Sequence, residues 1–294
     1  MNSTNELSNE LEMSYQQIFQ LKLENEELVR SLYQVNEKLR DSERLKGHFI
    51  SNIMNEIVNP FGSILALSQN IRQLKESEIA QAHRMAELIF EEAFHLDFQL
   101  KNIFTAALIE AGKEKLKFSK INVNQLSEYI CQYFDSPLQK KNIRLSVTLS
   151  NELTPGLAIS ITSDWEKLDL ILKNLISNSI KYSPEDSDIS LTFVLRKENL
   201  LIEVSDHGKG INQEDRKVVF DRFKQLDEKI NSINTGHGLG LSIVQTYTEM
   251  LGGEVSLKDN SEGGICVIVS IPESEDNNEW DDLEDFLLAS EASF

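Results

Sequence analysis

TGHGLGLSIV, residues 235–244, sets three glycines on alternate positions and then runs directly into an apolar pattern of helical type. Backbone N–H groups at Gly236, Gly238, Leu239 and Gly240 are thereby presented at a helix start, where the peptide dipoles leave partial positive charge. Such a turn suits a phosphate group. Upstream, VSDHGKGI (204–211) follows a strand-like run and places Asp206 ahead of Gly208 and Gly210. A carboxylate can accept the exocyclic amino proton of adenine, and glycines let backbone approach a flat ring. VFDRFKQLD (219–227) adds Phe220 and Phe223, two aromatics able to fix the start of a flexible lid. LILKNLISNSIKYS (170–183) puts Asn174, Asn178 and Lys181 on one helical face. An amide oxygen can ligate Mg²⁺ without adding charge, and an ammonium one turn on can meet phosphate oxygens.

In this order the four segments resemble the N box, first glycine box, F box and second glycine box of histidine kinases and related ATPases, over about residues 120–272. The resemblance implies an ATP-binding α/β sandwich in which Asn178 holds Mg²⁺, Asp206 accepts from adenine and residues 224–237 form the lid. His207 and His237 fall inside the glycine motifs and line the site; neither has the spacing of a metal pair.

Around this domain the chain is organised by helical periodicity. Leu7, Leu11, Ser14, Ile18, Leu21, Asn25, Leu28, Leu32, Val35 and Leu39 alternate at spacings of 4 and 3, and the seam continues weakly through Ser42, Lys46, Phe49 and Ile53. This predicts a coiled coil over 1–47, with Asn25 at an a position favouring a parallel two-stranded dimer. Residues 48–115 read as a helical hairpin: one helix from His48 to about Ile71, kinked at Pro60, and a second over about Ser77–Gly112 carrying Ile79, Met85, Leu88, Ile89, Phe94, Leu96, Ile103, Leu108 and Ile109. Two hairpins make a dimeric four-helix bundle. Residues 116–272 read as an α+β domain, with strands at Arg144–Leu149, Ile189–Leu195, Leu200–Ser205 and Ile265–Ile271 and helices near Val123–Lys140, Trp165–Tyr182 and Leu239–Leu251. In the tail, 273–294, nine acidic residues lie between Glu273 and Glu291, yet Trp280, Leu283, Phe286, Leu287 and Leu288 are spaced as one helix face. An interaction segment and plain disorder both fit that composition.

The formal charge of −19 over 294 residues argues against a nucleic-acid or anionic-membrane binder, because such partners are held by Lys and Arg clusters. With no apolar run long enough to span a bilayer and no secretory signal at the N-terminus, a cytoplasmic protein without membrane insertion is expected. Cys131 and Cys266, each in an apolar stretch, read as buried free thiols.

The hairpin also resembles the dimerisation and phosphoacceptor domain of histidine kinases, whose pattern runs approximately F-L-A-N-M-S-H-E-I-R-T-P-L. The segment here is FISNIMNEIVNPF, residues 49–61, with Asn55 where that pattern has its histidine. A carboxamide nitrogen is delocalised and is no nucleophile at neutral pH, so phosphoryl transfer to Asn55 is not expected. Glu56 stands where the family carries the activating carboxylate, and Asn59 where it carries the residue that orients water for dephosphorylating a response regulator. The expectation is an ATP- and Mg²⁺-binding dimeric signalling protein without the usual acceptor, acting by conformational change or as a phosphatase on a response regulator receiver domain. Alternatives are a kinase acting on a histidine of a partner, including a heterodimer with another histidine kinase, or on a non-standard position such as His48, His83 or His95, and an ATP-gated scaffold.

Overall fold

The computed structural model describes residues 20–22, 24–33, 35–37, 40, 57–152, 158–197, 199–221, 238–260 and 263–274. The chain divides into two units, 1–55 and 56–294. In the first, the described residues are helical, and the seam positions Leu21, Leu28, Leu32 and Val35 are each more than 60% exposed. A heptad stripe left open in this way needs a second helix to bury it. The part of the hairpin that contains His48, Asn55 and Glu56 lies outside the described residues, as do Phe223, Gly236, His237 and the tail beyond residue 274.

The second unit begins with helix α1 (57–71) and continues through a short turn into α2 (Ile79–Glu110). There follow β1 (Phe118–Asn122), α3 (Val123–Lys140), β2 (Arg144–Asn151), β3 (Ser160–Asp164), α4 (Trp165–Tyr182), β4 (Asp188–Arg196), β5 (Asn199–Ser205), α5 (Gly240–Met250), β6 (Glu254–Asp259) and β7 (Ile265–Pro272). Five strands form one sheet in the order β2-β4-β5-β7-β6, with β2 and β4 parallel and the other neighbours antiparallel; β1 and β3 make a separate antiparallel pair. Helices α3, α4 and α5 pack with the sheet and with one another, giving an α/β sandwich.

Local chemistry explains where these elements start. The Asn122 side chain accepts from the backbone N–H of Asn124 at 2.9 Å and caps α3. Asp164 caps α4 by accepting from Lys167 N–H at 3.1 Å, and its other oxygen accepts from Lys117 N–H at 2.7 Å. On the central strands every second side chain is buried: Ile189, Leu191, Phe193 and Leu195 on β4, then Leu200, Ile202 and Val204 on β5. These meet the apolar side of α4, where Leu168, Ile171, Leu172, Leu175 and Ile176 are almost inaccessible. Strands β1, β3 and β6 are absent from the sequence reading. Each is five or six residues long and roughly half polar, so neither an apolar run nor strong alternation marks it.

Helix α2 departs from the expected pattern. Its buried residues are Phe98, Asn102 and Thr105, a stripe at helical spacing of which two members are polar. The apolar residues Ile79, Leu88 and Leu108, expected on the packed face, are exposed, as are Val58, Phe61 and Leu65 on α1.

Candidate functional site

The site is built around a carboxylate at the end of β5. Asp206 is 5% exposed. Its Oδ1 accepts from Gly208 N–H at 2.9 Å and from Ile265 N–H at 3.3 Å, while Ser179 on α4 donates its hydroxyl to Oδ2 at 3.3 Å. The backbone is held as firmly: Asp206 N–H donates to the Ile265 carbonyl at 3.0 Å, and the Asn260 amide donates to the Asp206 carbonyl at 2.9 Å. Donors on every side fix this side chain in one orientation, as a group that reads a ligand requires.

Glycines enclose it. A Cβ on Gly208 would lie 2.9 Å from the Tyr182 carbonyl oxygen, and one on Gly264 would fall 2.1 Å from the Asp206 carbonyl oxygen. Gly264 also has φ +94, a region that side chains disfavour, and Gly210 has φ +70 with its Cα side facing Gly264. These positions carry no side chain because backbone packs directly against backbone around Asp206.

The opposite end of the site lies at the start of α5. Gly238 takes φ +67, Leu239 is buried, and Gly240 is the first helical residue, with no side-chain cap on the helix. Among the described residues no side chain caps the start of this eleven-residue helix, whose first N–H groups suit an anion. A Cβ on Gly240 would lie 2.8 Å from Asn174 Oδ1 and 3.7 Å from Asn178 Nδ2, so α5 begins in contact with the amide face of α4. Asn178 is half-buried there, and among the described residues no hydrogen-bond partner occupies its amide. Asn174 is engaged elsewhere: both its amide hydrogens are used, toward Asn102 Oδ1 at 2.8 Å and the Leu170 carbonyl at 2.9 Å. Lys181 lies with its ammonium 5.3 Å from the centroid of the Tyr182 ring, which Lys209 approaches to 5.4 Å. His207 points its Nδ1 to the Asp188 carbonyl at 2.8 Å, away from a ligand role through that nitrogen.

Of the residues singled out in the sequence, the fold gathers Asp206, Gly208 and Gly210 at one end and Asn174, Asn178, Leu239 and Gly240 at the other. Lys181 lies on the same helix one turn beyond Asn178. Asn59 sits exposed on α1. Sequence reasoning missed Ser179, Asn260, Gly264 and Asn102. The pair Gly263-Gly264 before β7 was the one available signal, and it gains meaning only once β5 and β7 pair and bring Ser205 opposite Cys266. Among the described residues no group of three or more His, Cys, Asp and Glu side chains could hold a metal ion. The neutral amide of Asn178 beside a helix start fits the role of a ligand to a divalent ion.

A buried carboxylate in a glycine turn, an amide-bearing helix α4 and the glycine-opened start of α5 are brought together on one α/β sandwich. Residues 163–275 match the family described as histidine kinase-, DNA gyrase B- and HSP90-like ATPase, and that domain belongs to it. Over 253 residues, 86% of its length, the chain is 32% identical to sensor histidine kinase TmoS of Ectopseudomonas mendocina, and it spans 25% of that relative. It is 26% identical to sensor histidine kinase YcbM of Bacillus subtilis (strain 168) over 232 residues, covering 79% of this chain and 73% of that one. These similarities support the histidine kinase family for the chain. In fold it resembles full-length ShkA in complex with AMPPNP (TM-score 0.55, 21% identity, 79% of this chain and 46% of that one). It also resembles histidine kinase ThkA in complex with response regulator protein TrrA (TM-score 0.51, 21% identity, 82% and 66%). No helix among the described residues is long and apolar enough to cross a membrane.

Proposed function

We propose that this protein is an ATP-binding signalling protein of the histidine kinase family that does not accept phosphate at the usual position, and that its output is conformational or a phosphatase activity on a response regulator. The observation that carries the nucleotide reading is the pre-oriented, buried Asp206 carboxylate in its glycine turn. It accepts the adenine amino group, and the α5 start and Asn178 meet the phosphates and Mg²⁺. Lys181, one turn beyond Asn178, is in reach of the same phosphates.

The acceptor reading rests on the residue type at position 55. An amide nitrogen gives no phosphoramidate intermediate, whereas Glu56 and Asn59 retain the chemistry of a carboxylate and a water-orienting amide close by in sequence. A receiver domain docking on that helix face is the partner this reading requires, and the complex formed by the related ThkA supports it. The exposed apolar positions on α1, α2 and the N-terminal helix support a homodimer, in which a second copy covers them.

The test is incubation of the purified protein with radiolabelled Mg-ATP, followed by mass spectrometry. Bound ATP with no acid-labile phosphate on the hairpin is expected. Phosphate located on His48, His83 or His95 would show that the acceptor has moved and would remove this reading.

A further inference from the structure

We infer that Asn102, on the hairpin helix α2, is a positioning residue for the phosphate end of the nucleotide site, acting through Asn174. The inference rests on the ATP reading above and adds to it a residue outside the nucleotide domain.

Asn102 and Asn174 are 4% and 3% exposed, and they share a hydrogen bond of 2.8 Å. A buried amide pair between helices is costly to leave half-made and tolerates few arrangements, so it fixes the register of the two helices. Its effect on Asn174 is specific. With one amide hydrogen on Asn102 Oδ1 and the other on the Leu170 carbonyl, the plane of the Asn174 carboxamide has no remaining freedom, and Oδ1 is directed at Gly240. Only a glycine fits there, because a Cβ would sit 2.8 Å from that oxygen. The Asn102 contact therefore determines where the first residue of α5 rests, and with it the direction of the uncapped N–H groups.

A second attachment holds the same helix farther along. Tyr247 on α5 donates its hydroxyl to Glu114, in the segment that follows α2, at 3.0 Å. Glu114 in turn pairs with Lys167 at 2.6 Å, both side chains being nearly buried. So α5 is gripped at its start through Asn174 and Asn102, and two turns on through Tyr247, by α2 and the segment that follows it. Asp206, at the adenine end, has none of these contacts. Hairpin and phosphate site are thereby linked, and by reciprocity a phosphate tail bound at α5 must favour the docked α2.

Binding of ATP and of adenosine to the full chain distinguishes this from a merely structural role, because adenosine engages the Asp206 end alone. Loss of one buried hydrogen bond corresponds to about fivefold to tenfold in affinity. Asn102→Ala is expected to weaken ATP by about that factor, with adenosine unchanged, and Asn102→Asp, which keeps the acceptor oxygen, to restore most of the loss. Should the alanine variant fail to fold, the wild-type protein gives the answer by NMR: the side-chain amide resonances of Asn102 and Asn174 shift with ATP and not with adenosine. Equal weakening of both ligands, unchanged ATP affinity in Asn102→Ala, or unmoved amide resonances would each overturn the inference. Failure of the wild-type chain to bind ATP at all would instead sink the nucleotide reading on which it stands.

Discussion

Asp206 is surrounded by donors it cannot exchange, and its neighbours have given up their side chains to make room. Replacing it by Asn keeps the shape but turns one acceptor into a donor that faces the Ser179 hydroxyl or the two amides at Gly208 and Ile265. ATP affinity is expected to fall by roughly 1–3 kcal/mol, measured by calorimetry, while GTP does not gain in compensation. Gly264→Ala is a backbone change with the same target. The new Cβ would meet the Asp206 carbonyl at 2.1 Å in a strained φ, so a stability loss of more than about 2 kcal/mol is expected from the denaturation midpoint, together with loss of nucleotide binding. A variant as stable as the parent would show that the turn can move. Asp206 was legible in the sequence because its partner glycines are local, two and four positions on. Asn260 and Gly264 were not, since more than fifty residues and an intervening helix separate them from Asp206.

Among the elements, helix α5 joins the site to the hairpin, and its tyrosine makes that junction titratable. Burial raises the Tyr247 hydroxyl above its ordinary value, and the adjacent Glu114 carboxylate pushes in the same direction. Burial does the same to Tyr133, which stacks on Phe94 of α2 at 4.5 Å. For a group whose folded pKa is raised, the folded state keeps its proton while the unfolded chain loses it. The stability it contributes is therefore complete below the unfolded value of about 10 and declines as pH rises beyond it. Thermal melts between about pH 9 and 11 are expected to show this decline, and Tyr247→Phe to flatten it; an unchanged slope would place the tyrosine in water. The elements themselves were readable where apolar periodicity is strong, as in α3, α4, β4, β5 and β7. Helix α2 was read too, over about 77–112, but not its packed face, because Phe98, Asn102 and Thr105 form its buried stripe and only the first of them is hydrophobic.

For the whole molecule, α1, α2 and the N-terminal helix carry exposed apolar residues, Phe61 at 54% and Leu28 at 68% among them, which a second copy would cover. A dimer is expected by light scattering at micromolar concentration, and Leu28→Asp with Leu32→Asp to weaken it by about 2 kcal/mol or more, because charges on an a/d seam meet their own copies. A wild-type monomer would contradict this. Helical spacing made α1 and α2 visible, whereas the docking of α2 on the nucleotide domain was not, because it depends on pairs such as Asn102 with Asn174, 72 positions apart.

Asp206 is held through its carboxylate by Ser179 of α4, by the turn at Gly208 and by the first residue of β7, and through its backbone carbonyl by Asn260 after β6. No subset of these segments holds it, so an unfolded chain offers the nucleotide nothing. By mass action, every tenfold rise in free ATP above its dissociation constant then adds about 1.4 kcal/mol to the unfolding free energy of this unit. The melting temperature should climb with the logarithm of ATP concentration and not level off at saturation of the site.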